Sequence, residues 1–322
     1  MASLALGIDL GGTNARAALV DRATGEVVAL ERRALARRSP EEVVEVLRRA
    51  VLAVAGERPA SLGRIGVGVA GQVMGGTGLV FNAPNLGWRD VPLGNLLAGA
   101  LGAPVRVVND LSAAAWGETC FGAARGARDV LVVFAGTGVG SGIVVGGRLH
   151  EGACGVAGEL GHVKVRPPRA GEPPRRCGCG SVGCLEAYVG GANLAVRVRA
   201  EVEAGVTTRI VEFTSGDISR VTASQVEQAC QAGDAYARQL WEELGELLGT
   251  AVANAVTLLN PERLVLGGGV LRASPTLRER VGFHVAAATS RTAAARLAVV
   301  DAERGDEAGV IGAALLGSES GT

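Results

Sequence analysis

Three of the chain's six cysteines, Cys177, Cys179 and Cys184, fall within eight positions, and Gly158-Glu159-Leu160-Gly161-His162 lies just upstream. One imidazole and three thiolates make the four ligands of a closed tetrahedral Zn²⁺ site, which is structural because no position is left for substrate. Cys177 and Cys179 are too close in sequence for an easy disulfide. The competing readings are buried thiols without a metal and a zinc-ribbon nucleic-acid module. The second is disfavoured by the single cysteine pair and the lack of a basic patch. Glu159 lies three residues before one ligand and Glu186 two residues after another. A metal cross-link there would fix both carboxylates in advance. Carboxylates held that way accept hydrogen bonds from several sugar hydroxyls at a lower ordering cost. The plainer reading makes Glu186 a helix-start acid and Glu159 a solvated loop charge.

A second group of residues suits phosphate. Asp9-Leu10-Gly11-Gly12-Thr13-Asn14 sits between two apolar runs. Glycine N–H groups in such a turn bind anions, and Thr13 and Asn14 add donors. Asp9, at the strand end, is placed to hold a hydrated Mg²⁺. Gly136-Thr137-Gly138-Val139-Gly140 offers the same chemistry later in the chain, and Gly267-Gly268-Gly269 after a strand would let a flat nucleotide lie on the backbone. Each loop alone is equally a tight hairpin. Two aligned loops with a third glycine run favour nucleotide binding, although neither is a Walker loop nor a dinucleotide fingerprint. Val105 to Val108 is a strand that ends in Asn109-Asp110. A carboxylate there opens where α/β proteins bind ligands, so Asp110 is either a base for a hydroxyl attacking a phosphoryl group or the cap of the next helix.

These residues need a scaffold. Residues 4–20 read as strand, glycine turn, strand, with a third strand over 26–33. Ser39-Pro40-Glu41-Glu42 opens a helix running to about Ala55. Strands follow at 65–70 and 105–108, and helices at 91–101 and 111–120. Residues 129–152 repeat the strand–turn–strand pattern, with Gly136-Thr137 aligned on Gly12-Thr13. Long helical patterns cover about 188–204 and 224–259. A strand at 263–266 and a closing helix at 308–316 complete the set. Internal repetition on this scale predicts an α/β fold of two similar halves. The expected domains are 1–118, joined by the C-terminal helix at about 305–322, and 119–304, with a zinc-binding loop at about 158–186.

The formal net charge is zero, which argues against nucleic acid or membrane as a partner. Lys164 is the only lysine among 32 basic residues; a GC-rich genome accounts for that bias, and no function is read into it. The start has no basic leader and no apolar run approaches a membrane span. A cytoplasmic setting with reduced thiols is expected.

The motifs Glu-x-Gly-His, Cys-Gly-Cys-Gly-x-x-Gly-Cys-Leu-Glu, Asp-Leu-Gly-Gly-Thr, Asn109-Asp110, Gly136-Thr137-Gly138 and NPERLVLGGG together resemble the repressor–ORF–kinase (ROK) family of sugar kinases and regulators, in particular its bacterial ATP-dependent glucokinase branch. The resemblance covers nearly the whole chain and includes Asn85 in NAPNLGW. It implies an actin-like, hexokinase-like (ribonuclease H-like) duplicated fold with a sugar cleft between two domains. It implies that Asp110 deprotonates the sugar 6-hydroxyl and that glucose is converted to glucose 6-phosphate. Sugar contacts are implied for Asn85, Asn109, Asp110, Glu159, His162 and Glu186. ATP phosphates are implied at Gly11–Asn14 and Gly136–Gly138, with Gly268 and Gly269 near the nucleotide and Mg²⁺ near Asp9. Zinc is implied on His162, Cys177, Cys179 and Cys184, and a homodimer or homotetramer is expected.

Two features depart from the family pattern. A Pro/Arg-rich insert at 167–176 lengthens the His162–Cys177 spacing, which costs little closure entropy. Phe134-Ala135 precedes Gly136 where leucine or glycine often stands. N-acetylglucosamine and N-acetylmannosamine kinases share these motifs and are the alternative substrates. A sugar-responsive repressor would carry an amino-terminal winged helix, for which the first strand near residue 4 leaves no room. A catalytically dead sensor is disfavoured by the intact Asp110 and loops.

Overall fold

The structure is a computed structural model that describes residues 3–57, 59–165 and 175–318. Most of the Pro/Arg-rich insert therefore lies outside the described residues. The chain opens with a three-stranded antiparallel meander, β1 (Leu4–Leu10), β2 (Asn14–Asp21) and β3 (Val27–Ala34). α1 (Pro40–Ala55) follows, capped by Ser39, whose Oγ accepts from Glu42 N–H at 3.4 Å while Pro40 fills the first turn. β4 (Ile65–Val69) pairs parallel to β1. A small antiparallel sheet comes next: β5 (Gln72–Met74), β6 (Leu79–Ala83) and β7 (Trp88–Val91). α2 (Leu93–Leu101) leads to β8 (Val105–Asn109), parallel to β4, and then α3 (Asp110–Phe121).

The second meander is β9 (Val130–Ala135), β10 (Val139–Val145) and β11 (Arg148–Leu149). Beyond the cysteine segment come α4 (Glu186–Val189), α5 (Gly191–Glu203), α6 (Ile210–Phe213), α7 (Ala223–Gln231) and α8 (Ala235–Leu259). β12 (Arg263–Gly267), α9 (Gly269–Ala273), α10 (Pro275–Ala288), α11 (Arg291–Ala294), β13 (Ala298–Asp301) and α12 (Ala308–Ser318) end the chain.

Two compact units emerge. The first holds 1–130, 142–158 and 302–322; the second holds 131–141 and 159–301. The expected duplication is present in the sheets. One has the order β3-β2-β1-β4-β8 and the other β11-β10-β9-β12-β13. In both, a meander is extended by two later strands on the side of its first strand, and β12 runs parallel to β13 as β4 does to β8.

In the first unit, β4 is buried at every position and β1 at most, so both read as near-continuous apolar runs. One sheet face packs on α1 through Val43, Leu47 and Val51. The other meets α12, with Val310, Ile311 and Ala314 clustered on Ala5, Ala18 and Val20. Gly66 lets α12 approach closely, because a side chain there would overlap the Ala313 carbonyl. The buried Glu118 of α3 accepts the N–H groups of Glu303 (3.1 Å), Arg304 (2.8 Å) and Gly305 (3.1 Å), fixing the strand-to-helix turn before α12. In the second unit, α8 buries Leu240, Trp241, Leu244, Leu248 and Val252 along one stripe.

The long pattern over 224–259 is two helices. Gly233 takes a φ of 88°, and Asp234 then caps α8 by accepting from Ala237 N–H at 2.7 Å. The pattern at 188–204 likewise breaks at Gly190, whose extended backbone ends α4 before α5. Asn109, rather than Asp110, is the N-cap of α3: its Oδ1 accepts from Leu111 and Ser112 N–H at 2.9 and 3.1 Å. Asp110 is the first helical residue. Among the described residues no helix is long and apolar enough to cross a membrane.

Candidate functional site

The cysteine segment is held by short-range backbone pairing. Val165 N–H donates to Gly183 O at 3.1 Å and Leu185 N–H to Val163 O at 3.0 Å, which sets Lys164 opposite Cys184 in an antiparallel bridge. A tight turn, Gly180 N–H to Cys177 O at 2.9 Å, folds Cys177 and Cys179 back. One ligand atom from each of His162, Cys177, Cys179 and Cys184 lies within 4.8 Å of all the others. Cys177 Sγ is 3.6 Å from His162 Nδ1, and Cys179 Sγ is 3.8 Å from Cys184 Sγ. Zn–S bonds of about 2.3 Å and a Zn–N bond of about 2.1 Å give tetrahedral edges of roughly 3.8 and 3.6 Å. The donor set and its spacing therefore fit a zinc ion. Without one, burial pushes the Cys177 thiol up to about 12. Cys179 is also partly desolvated, yet donors, the Ser181 N–H foremost, hold it below the ordinary thiol value. A bound cation would displace these protons.

Both predicted carboxylates reach the cluster. Glu159 Oε2 is 3.3 Å from His162 Nε2, on the ring edge opposite Nδ1. A carboxylate on the far nitrogen of a ligating imidazole fixes its tautomer and orientation. Glu186 Oε1 accepts from Cys177 Sγ at 3.5 Å, and its Oε2 accepts from Val139 N–H at 3.0 Å. It is thus no solvated helix-start acid, although it does begin α4. Gly138 makes this approach possible, since any Cβ there would overlap Glu186 Oε2. The second glycine loop is held from its other side too. Gly136 O and Thr137 O accept from Gly191 and Ala192 N–H at 2.8 and 3.1 Å, at the start of α5. Gly268, with a φ of 94°, packs on the Ala135 carbonyl, so the third glycine run adjoins the second loop. Gly269 is the first residue of α9.

The first loop is built differently. Gly11 N–H donates to Asn14 O at 3.0 Å, and the exposed Thr13 Oγ1 accepts from Asn14 Nδ2 at 3.1 Å. Asp9 Oδ2 accepts from Arg16 Nε at 3.0 Å and also pairs with Arg16 Nη2. Gly12 packs on Asn85 from the β6–β7 turn, which brings two predicted groups together. Asn109 Nδ2 donates to Gly71 O at 3.0 Å, and Asp110 Oδ1 accepts from Leu111 N–H at 3.0 Å. Asn109 and Asp110 are half-buried at the carboxyl end of β8.

The first unit thus holds Asp9, Gly11 to Asn14, Asn85, Asn109 and Asp110. The second holds Gly136 to Gly138, Glu159, His162, the three cysteines, Glu186, Gly268 and Gly269. Sequence reasoning missed the roles of Arg16, the Val139 amide and Lys164. Lys164 Nζ donates to Cys184 Sγ at 2.7 Å, and its signal was its uniqueness in the chain.

The pattern described as the ROK family matches residues 5–320. A glucokinase of Halalkalibacterium halodurans is 39% identical over 255 residues, covering 78% of this chain and 75% of that one. A glucokinase of Streptomyces coelicolor is 32% identical over 324 residues and 98% of each chain. The crystal structure of a ROK family glucokinase from Streptomyces griseus in complex with glucose and AMPPNP superposes with a TM-score of 0.83 at 32% identity, over 98% of this chain and all of that one.

Proposed function

The chain belongs to the ROK family, with its actin-like, hexokinase-like fold, and from that premise we propose that it is a sugar kinase that transfers the γ-phosphoryl group of ATP to the 6-hydroxyl of glucose. The observation that carries the reading is the likeness, along 98% of the chain, to the Streptomyces griseus glucokinase bound to glucose and AMPPNP.

Phosphoryl transfer asks a protein mainly for positioning and charge stabilisation. Asp110 accepts the 6-hydroxyl proton as that oxygen bonds to the γ-phosphorus and the bond to the ADP oxygen breaks. Its place suits the task. Asn109 takes over the capping of α3, which leaves the Asp110 carboxylate in the first turn of that helix at the carboxyl end of β8. Asn85, Asn109, Glu159, His162 and Glu186 bind and orient the sugar hydroxyls. The loops Gly11 to Asn14 and Gly136 to Gly138 cradle the phosphates, while the Gly11 and Gly136 amides close the turns by donating to Asn14 O and Gly138 O, and Gly268 and Gly269 lie beside the nucleotide. Mg²⁺ bound to ATP would supply charge neutralisation, with Asp9 to hold the hydrated ion.

His162, Cys177, Cys179 and Cys184 would hold zinc as a structural cross-link. Glu186 bears both on Cys177 and on the amide of Val139, so the cross-link and the second loop share one carboxylate. The test is ADP release with ATP and, in turn, glucose, N-acetylglucosamine, N-acetylmannosamine, mannose and fructose. Glucose should give the highest kcat/KM. A higher value for an N-acetylated sugar would reassign the substrate, and no turnover with any of them would make the chain a sensor.

A further inference from the structure

Lys164 is the only lysine in a chain that uses arginine at its other basic positions. It stands two residues beyond His162, and its backbone bridge faces it squarely to Cys184. The 2.7 Å hydrogen bond from Nζ reaches a sulfur that is wholly buried. Negative groups crowd the same cluster. Glu159 lies on His162 at 3.3 Å and Glu186 on Cys177 at 3.5 Å.

We propose that Lys164 is a positioning residue of the metal centre, whose ammonium group balances the charge of the Cys3His site and withdraws electron density from the Cys184 sulfur. The inference rests on the zinc reading above. Three thiolates and a neutral imidazole around a dication leave one net negative charge, and one ammonium cancels it. A charge-assisted bond to a thiolate is roughly twice as strong as a neutral one. The identity of the residue follows from shape. A guanidinium is a planar fork suited to two-oxygen acceptors, whereas a thiolate is a single point acceptor that a compact ammonium matches. With its lone pairs engaged, the Cys184 sulfur is a poorer nucleophile, and the metal is harder to strip from it.

The experiment uses the full chain loaded with Zn²⁺ or with Co²⁺ as a spectroscopic substitute, comparing wild type with Lys164→Met and Lys164→Gln. In Lys164→Met the thiolate-to-cobalt charge-transfer band should move to lower energy while the ligand-field bands keep their tetrahedral pattern. Zinc release to a chromogenic chelator should quicken about tenfold, the lower end for loss of a partner to a metal ligand. Lys164→Gln, which keeps a neutral donor, should show a smaller change in the same direction. It carries the test alone if the methionine variant does not fold. An unshifted band with unchanged release in a fully loaded variant overturns the proposal while leaving the metal site standing. A wild-type chain that takes up neither ion overturns both.

Discussion

The two glycine loops lie on two copies of one sheet, yet they are braced by opposite means. The first is self-contained: Asp9 and Arg16, seven residues apart, close an ion pair across it. The second has no acid of its own. With Gly136 aligned on Gly12, an offset of 136 − 12 = 124 puts Val133 where Asp9 stands and Gly138 where Asn14 stands. Its brace is Glu186, 47 residues downstream, which reaches the Val139 amide through the gap that Gly138 leaves open. The same carboxylate lies 3.5 Å from Cys177 Sγ of the cysteine cluster. A duplicated scaffold thus fixes the backbone path but not the chemistry that holds it. One copy relies on local charge, and the other relies on a remote carboxylate that also touches Cys177 of the His162–cysteine cluster.

The sharpest division of labour concerns the chemical step. Asp110→Asn should lower kcat about 10²- to 10⁴-fold, the usual worth of a positioned general base. Glucose binding, read by tryptophan fluorescence or calorimetry, should persist. Turnover within tenfold of wild type would remove the base from the first half. Metal removal should separate the loops. Chelation, or Cys179→Ser, should abolish zinc uptake and raise the glucose KM about tenfold or more, as expected when a preorganised group is freed. Amide exchange should rise over 136–140, 159–165 and 175–186 but not over 9–14. Equal loosening of both loops would erase the contrast.

Gly138→Ala tests the same brace without touching the metal. It should displace Glu186 and raise the glucose KM several-fold with full zinc content, at a stability cost of about 1–3 kcal/mol for overpacking. The smallest effect is electrostatic. Arg175, near the end of the Pro/Arg-rich insert, pairs with Glu201 of α5 at 3.3 Å, and Glu201 also accepts from Tyr236 and Arg197 at 2.7 and 2.9 Å. Burial pushes Glu201 up, but these donors prevail and hold it below the ordinary carboxyl value. A depressed carboxyl stabilises the fold above its unfolded pKa and loses that contribution as pH falls through the folded value. Tyr236→Phe should cost about 0.5–1.5 kcal/mol near neutrality. The difference in melting temperature from wild type should shrink as pH falls below the ordinary carboxyl range and Glu201 takes up its proton.

Much of this was legible in the sequence, for identifiable reasons. The cysteine cluster, the glycine loops and Asn109-Asp110 are local strings whose residue types dictate their chemistry. The buried strands announced themselves as apolar runs. The β5–β7 sheet did not, because its strands are three to five residues long and have exposed faces, as Phe81 illustrates. α10 and β13 lacked a clear apolar stripe; β13 is exposed at most positions. The cap of α3 fell to Asn109 because an N-cap needs extended backbone, and Asn109, at ψ 145°, is the last strand residue. The bond between Glu186 and Val139 spans too much sequence for any local pattern to reveal.

The placement of α12 has a consequence for how the molecule comes into being. The helix that covers one face of β1 lies about 300 residues later in the chain. At roughly 5–20 residues per second a ribosome needs on the order of 15–60 s to bridge that interval. Until then Ala5, Ala18 and Val20 lack Val310, Ile311 and Ala314, and only Val27 and the α3 side chains Trp116, Cys120 and Phe121 can pack on them. The first unit thus starts before the second and is completed after it, which makes the docking of α12 a late step in the assembly of its sheet.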